Sequence, residues 1–511
     1  EQTELIRSLR TVIDEKTAHE AVLQEQVDYL TKKLFGTSSE KTHSDIPGQL
    51  NLFNEAEAEQ DPSLPEEDCI EEPSPRKKKA THAELFKGLT VHKQVIPLAK
   101  EDKICPVCGT PMERIGEEYV RRELVFTPAR CEIYEYYTES YGCPNCKDGK
   151  GDTEKAVIIK SKAAPALIGK GPASLSTVAW TIYQKYANGM PLYRQEKDWK
   201  EYGAAISRTT LANWIIYSAE HYFRPLYDYF HRQLLQREFL MADETRVQVL
   251  KEPGRSAESQ SFMWLFRTGE DGQPVILLYG YTPTRSGNNA ADFLDGFQGY
   301  LETDGYQGYN KVSGIKRCSC WAHIRRYFVD AIPKGKQLDY NQPAVQGVHY
   351  CDRLARLEST ITSKCGTDYE KRKQMSLEKE KPVLEAFWAW VDSQNPTRNT
   401  RLDKALTYVK NRRETSMTYL EDGRCSFTNN LSENTIQPFT VGRKNWLFSD
   451  SVEGAQASAI TYTMVEMAKA HNLNIYGYLS YVLEQRPDET WSDEQLAELA
   501  PWSEKLQTLK I

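Results

Sequence analysis

At 511 residues, 40% of them hydrophobic and 11% aromatic, the chain is too long for one ordinary domain and too apolar for a wholly disordered protein. No run of 18 apolar residues and no basic-then-apolar leader occurs, which excludes a membrane-spanning or secreted reading and leaves a soluble, cytoplasmic protein of two to four folded units. The net charge of −7 argues at first against a polyanionic partner, but the charge is segregated: ten acidic and no basic residues lie between Ser44 and Pro75, against eight basic and three acidic between Lys160 and Thr210. The first residue is Glu1, not Met, so the N-terminus reads as trimmed or incomplete.

Residues 1–43 open with apolar side chains at steps of three and four. Ile6, Ile13, Val27 and Leu34 share one heptad position and Leu9, Leu23 and Leu30 the other, with Lys16 and Glu20 interrupting the seam. This spacing predicts a coiled coil, and through it a homodimer or higher assembly; an amphipathic helix packed on its own domain is the alternative. Phe35-Gly36-Thr37-Ser38-Ser39 ends the helix. Residues 44–80 are rich in Pro, Glu, Asp and Ser and read as an acidic flexible linker.

Residues 81–160 carry two Cys-x-x-Cys pairs, Cys105/Cys108 and Cys143/Cys146. Four thiolates at about 2.3 Å close a tetrahedral shell around structural Zn²⁺, and a closed shell leaves no open position for catalysis. Tyr119–Val125 and Cys131–Tyr141 read as strands between the pairs, with Cys131 packed in its strand. Residues 161–236 read as a helical, helix-turn-helix-like domain. In Tyr202-Gly203-Ala204-Ala205-Ile206-Ser207-Arg208, the glycine turn and the Ser207 N-cap start a helix that would carry Arg208, Thr209 and Asn213 toward double-stranded DNA. A plain helical hairpin fits the same pattern.

Residues 237–339 run as three strand-like segments, Glu238–Asp243, Ser261–Arg267 and Pro274–Tyr281, a helix near Asn289–Phe297, and a further strand at Gly299–Tyr306. That is the opening order of a ribonuclease-H-like sheet. Asp243 ends the first strand and Asp304 lies just beyond the fourth, where neighbouring strand ends bring acids together. Residues 340–425 are charged and helix-prone and read as an α-helical insertion. Residues 426–475 return to the core with Phe427-Thr428-Asn429-Asn430-Leu431-Ser432-Glu433-Asn434, which supplies a third carboxylate, Glu433, at a helix start. Residues 476–511 form a helical tail. Oxygen donors suit two Mg²⁺ (or Mn²⁺) ions about 3.5–4 Å apart, the arrangement that transfers phosphoryl groups. Glu244 points to the other face of its strand, and Asp292 and Asp295 face solvent. Arg443 and Lys444 put cations close by for phosphate, and Trp446 serves either to stack on a base or as ordinary core.

Several of these stretches resemble transposases of the insertion-sequence-sixty-six family, members of the DDE group. They are residues 30–41, both cysteine pairs, Gly189–Gln195, Ala242–Thr245, Thr303–Tyr306, Cys320–Arg326, Asn429–Asn434 and Gly442–Trp446. The resemblance implies that Asp243, Asp304 and Glu433 are catalytic acids holding Mg²⁺, and that the protein cuts transposon ends and joins 3′-hydroxyls to target DNA in a bacterial cytoplasm, with accessory proteins of the same element as possible partners. Cys320 and His323 resemble a Cys-x-x-His unit that braces the fold beside the second aspartate. Gln437-Pro438 departs from the family's Arg-Pro. A zinc-containing DNA-binding regulator with an inactive core, and a nuclease or resolvase without strand transfer, are the competing functions.

Overall fold

The computed structural model describes residues 131–137, 140–142, 158–160, 165–169, 172–333 and 341–509. The expected coiled coil, the acidic linker, the strand at Tyr119–Val125 and the cysteines Cys105, Cys108, Cys143 and Cys146 lie outside them. Of the strand expected at Cys131–Tyr141, the described residues include β1 (Ser140–Gly142), antiparallel to β2 (Ile158–Lys160). Residues 131–137 belong to no strand; Ile133, Tyr134, Tyr136 and Tyr137 are exposed, and Cys131 is exposed where a packed position was expected. Strand preference reflects fit to a half-buried surface, and these side chains are not covered by one.

A helical layer follows: α1 (Leu175–Tyr186), α2 (Leu192–Glu201), α3 (Arg208–Ser218), one π-turn (Ala219–Phe223) and α4 (Arg224–Leu235). Its starts are set locally. Ser174 and Thr177 form a capping box on α1, and the Ser207 hydroxyl accepts the Thr210 N–H at 3.2 Å to start α3. Gly203, at φ +87°, turns the chain between α2 and α3.

The central sheet has six strands: β3 (Phe239–Lys251), β4 (Gln260–Thr268), β5 (Leu277–Thr282), β6 (Gly299–Thr303), β7 (Ile315–Ser319) and β8 (Ser449–Ser451). Its order is β5-β4-β3-β6-β7, antiparallel across β5-β4-β3 and parallel across β3-β6-β7, and β8 pairs with the far end of β3. A short helix, α5 (Gly287–Phe293), separates β5 from β6. Strand β3 runs well past Asp243 because Glu244–Gln248 continue to pair with β4.

Side chains alternate across the sheet, so its two faces meet different cores. Leu240 and Ala242 pack with α1, α3, α4 and the later helix α12 (Val452–Ala470), which is buried along most of its length. Phe239 and Met241 pack on the other side, against α6 (Trp321–Ala331), α7 (Pro343–Cys365), α9 (Lys381–Ser393) and α10 (Arg401–Lys410), with α8 (Tyr369–Lys379) between α7 and α9 in the chain. The chain returns through α11 (Asn430–Trp446) and, after α12, closes with α13 (Ile475–Gln485), α14 (Asp493–Glu498) and α15 (Glu504–Leu509). Among the described residues no helix is long and apolar enough to cross a membrane.

Helices α11 and α12 approach closely at Gly442, where an added Cβ would collide with the Trp446 ring and the Tyr462 hydroxyl. Gly442→Ala is therefore expected to cost roughly 1–3 kcal/mol by overpacking. A denaturation midpoint unchanged from that of the parent protein would refute this.

Candidate active site

The register of β3 on β6 pairs Leu240 with Leu301 and Met241 with Glu302, and continued two residues it sets Asp243 level with Asp304. Adjacent strands lie about 4.8 Å apart, so two acids at one level on one face are neighbours. Glu433 comes to them from the first turn of α11, and all three side chains remain partly open to solvent. The Asp243 carboxyl is pushed well above the usual carboxylate range by burial first, then by the charges of Glu244, Glu433 and Asp304. Glu433 and Asp304 are thus close enough to raise the proton affinity of Asp243, and all-oxygen donors of this kind fit Mg²⁺ or Mn²⁺.

Several contacts dock the helix bearing Glu433. Asn429, just ahead of α11, donates its amide Nδ2–H to Ala242 O at 3.1 Å and its backbone N–H to Cys320 Sγ at 3.2 Å. Arg267, buried on β4, donates to Leu431 O at 3.0 Å and Thr435 Oγ1 at 2.5 Å. Burial pushes its pKa down to about 10, so it remains a cation at neutral pH. The Tyr279 hydroxyl bonds to Thr435 O. Asn429 lies in the family-resembling stretch Asn429–Asn434, but Arg267 and Tyr279 carry no signal in the sequence; the three, on separate elements, acquire a common role only when the sheet forms.

Glu244 occupies the opposite face, as strand alternation requires. It is held by Arg285 and by the Tyr309 hydroxyl at 2.5 Å. Arg285 also lies 3.7 Å from Asp304 and covers the Tyr306 ring at 4.1 Å from its centroid. The loop after Asp304 is gripped through its carbonyls, by Arg317 on Asp304 O at 3.0 Å and by Arg412 on Gly305 O. Asp292 and Asp295 are exposed.

Cys320 is buried just ahead of α6, and His323 lies in its first turn with Nδ1 3.7 Å from Glu433 Oε1. Arg443 is turned back toward β3, onto Thr245 Oγ1 at 3.2 Å and the carbonyl of Arg246, while Lys444 is exposed. Trp446 is half-buried, its ring 6.4 Å from both Tyr186 and Tyr462, which is the core alternative for that residue. Arg208, Thr209 and Asn213 are exposed along the start of α3. Within Gly189–Gln195 the roles are structural: Gln195 is buried and donates to Thr181 O and Met190 O at 3.2 and 3.1 Å, and Gly189 O accepts from Asn445 at 3.0 Å.

The raised proton affinity of Asp243 has a sign. Its contribution to stability is full below the unfolded value, about 3.9, and is lost as pH rises through the higher folded value. Asp243→Asn is therefore expected to stabilise the metal-free protein at neutral pH, by roughly 1–2 °C for each kcal/mol relieved. Thermal melts in a chelator check this, and Mg²⁺ is expected to raise the midpoint of the parent protein more than that of the variant.

The chain matches, over residues 170–457, the family model described as Transposase IS66 family. It also matches the zinc-finger binding domain of transposase IS66 over 102–147, the IS66 C-terminal element over 463–502, and, over 22–92, a model described as Transposase C of IS166 homeodomain. Two relatives from Sinorhizobium fredii (strain NBRC 101917 / NGR234) are similar along much of their length. Uncharacterized protein y4qI is 26% identical over 510 residues, 96% of this chain and 90% of that protein. Uncharacterized protein y4jD is 26% identical over 420 residues, 79% of each. With more than half of its length matched by the first of these models, the chain belongs to the Transposase IS66 family.

Proposed function

We propose that this protein is a DDE transposase with a ribonuclease-H-like core, which cuts transposon ends and joins the resulting 3′-hydroxyls to target DNA. The observation that carries the reading is the convergence of Asp243 on β3 and Asp304, one residue past the end of the parallel neighbour β6, with Glu433 from a helix whose start is bonded to the same sheet. The strand order, three antiparallel strands followed by two parallel ones, agrees with such a core, and residues 343–410 then form its helical insertion.

In this reading Asp243, Asp304 and Glu433 hold two Mg²⁺ or Mn²⁺ ions, which activate the attacking oxygen and stabilise the leaving one. Asn429 and Arg267 fix the position of Glu433, and Arg285, anchored on Glu244 beside Asp304, offers a cation to a phosphate at the rim. The exposed cations of Arg208 and Lys444 contact double-stranded DNA, with Thr209 and Asn213 near base edges. The paired cysteines hold structural zinc, and the N-terminal heptads assemble two or more copies. Site of action is the bacterial cytoplasm, with accessory proteins of the element as further partners.

The deciding experiment incubates purified protein with Mg²⁺, a transposon-end duplex and a target duplex. Covalently joined end–target molecules are the expected product. Nicked ends without joined molecules would reduce the protein to a nuclease, and no metal-dependent cleavage at all would make it a DNA-binding regulator.

A further inference from the structure

Beside the acid trio, three side chains of different chemistry converge. Cys320 Sγ, a His323 ring nitrogen and a Glu433 carboxylate oxygen all lie within 4.8 Å of one another. The sulfur is buried, accepts backbone N–H groups from Asn429, at 3.2 Å, and from His323, and is held as the neutral thiol by burial and by the nearby Glu433 and Glu302 charges. The His323 and Glu433 side chains are 18% and 20% exposed, so the cluster opens to solvent on the side away from the sulfur.

We propose that Cys320, His323 and Glu433 form a binding site for a zinc-class cation, separate in donor chemistry from the all-oxygen trio but sharing Glu433 with it. Thiolate and imidazole select Zn²⁺ or Co²⁺ over Mg²⁺, which takes oxygen ligands and keeps its waters. Cys320 lies ahead of α6 and His323 in its first turn, so one helix start presents both soft donors, and Glu433 completes a three-ligand set with a solvent-facing fourth position. Binding displaces the thiol proton to solvent and leaves His323 as neutral imidazole, so no further reactant is needed.

Sharing one carboxylate makes the two metal sites antagonists. A cation held by sulfur and nitrogen draws Glu433 toward α6 and away from Asp243 and Asp304, so zinc inhibits the Mg²⁺-dependent reaction. The binding itself stands without the transposase reading; only its effect on cleavage rests on that reading.

The test uses the full chain with its paired cysteines zinc-loaded, alongside Cys320→Ser and His323→Gln. In a Co²⁺ titration the parent protein is expected to take up one equivalent more than either variant, with a sulfur-to-cobalt charge-transfer band that Cys320→Ser lacks. In the cleavage assay, the zinc concentration that halves each protein's own zinc-free rate is expected to rise at least about tenfold in both variants. Equal Co²⁺ uptake and identical spectra in all three proteins would overturn the site. Extra uptake without any zinc sensitivity of cleavage would overturn the antagonism. His323→Gln, at the partly exposed rim, keeps the site testable if Cys320→Ser fails to fold. A chain that cleaves no DNA still reports the site through Co²⁺.

Discussion

Asp243→Asn, Asp304→Asn and Glu433→Gln are each expected to lower metal-dependent cleavage of end DNA by at least about a thousandfold, on the order of 4 kcal/mol in the barrier, with end binding largely kept. The reason lies in the charges. Asp243 and Asp304 sit side by side and Glu433 faces them, so the trio repels itself until cations arrive. An amide keeps the shape and removes one charge and one strong oxygen donor, weakening the grip on the ions while the DNA-facing surfaces remain. Asp292→Asn is the internal control, because that carboxylate is exposed and takes no part in the trio. A gel-shift measurement beside the cleavage assay separates binding from chemistry. Near-normal cutting by the trio variants would sink the assignment.

The second large effect lies in the helical segment. Arg372 on α8 pairs with Glu358 on α7, both buried, and helps hold down the proton affinity of Glu302, a buried glutamate on β6. Glu380, fully buried between α8 and α9, is pushed up to about 9 by burial and by the Glu358 charge. Removing the cation leaves buried carboxylates uncompensated, so Arg372→Met is expected to cost roughly 3–5 kcal/mol at pH 8. The loss should shrink as pH falls and the glutamates take up protons. Glu380→Gln has the opposite sign. With a folded value near 9 and an unfolded one near 4.3, the stability Glu380 contributes is full below the lower value and disappears as pH climbs through the higher. The glutamine variant escapes that decline and should be the more stable protein at pH 8. Urea midpoints at pH 6 and pH 8 measure both. An Arg372→Met protein within about 1 kcal/mol of the parent at pH 8 would refute the first claim.

Much of this arrangement was legible from local pattern. The Ser207 cap after Gly203, the three consecutive strands, the helix before β6 and the helical run after residue 340 all follow from short-range preferences, and those preferences act the same way in any tertiary setting. Alternation along β3 also separated Asp243 from Glu244 without any coordinates. Other features escaped. Strand β7 was not singled out, because Ile315-Lys316-Arg317-Cys318-Ser319 mixes charge with apolar residues. The second half of β3 lies beyond the strand read at Glu238–Asp243, yet it pairs with β4 and β8. Residues 131–137 carry strand-favouring side chains and form no strand, since propensity without a covering surface has nothing to act on.

The sequence by itself determined the local run of strands and helix starts, and with the family resemblance it named three acids. Only the tertiary structure decided that they meet. Asp243 and Asp304 are brought level by the register of two parallel strands, and Glu433 arrives from beyond an entire helical layer through bonds made by Asn429, Arg267 and Tyr279. Contacts of that span depend on how both faces of one sheet are covered, a property of the packed whole that no short window of residues encodes.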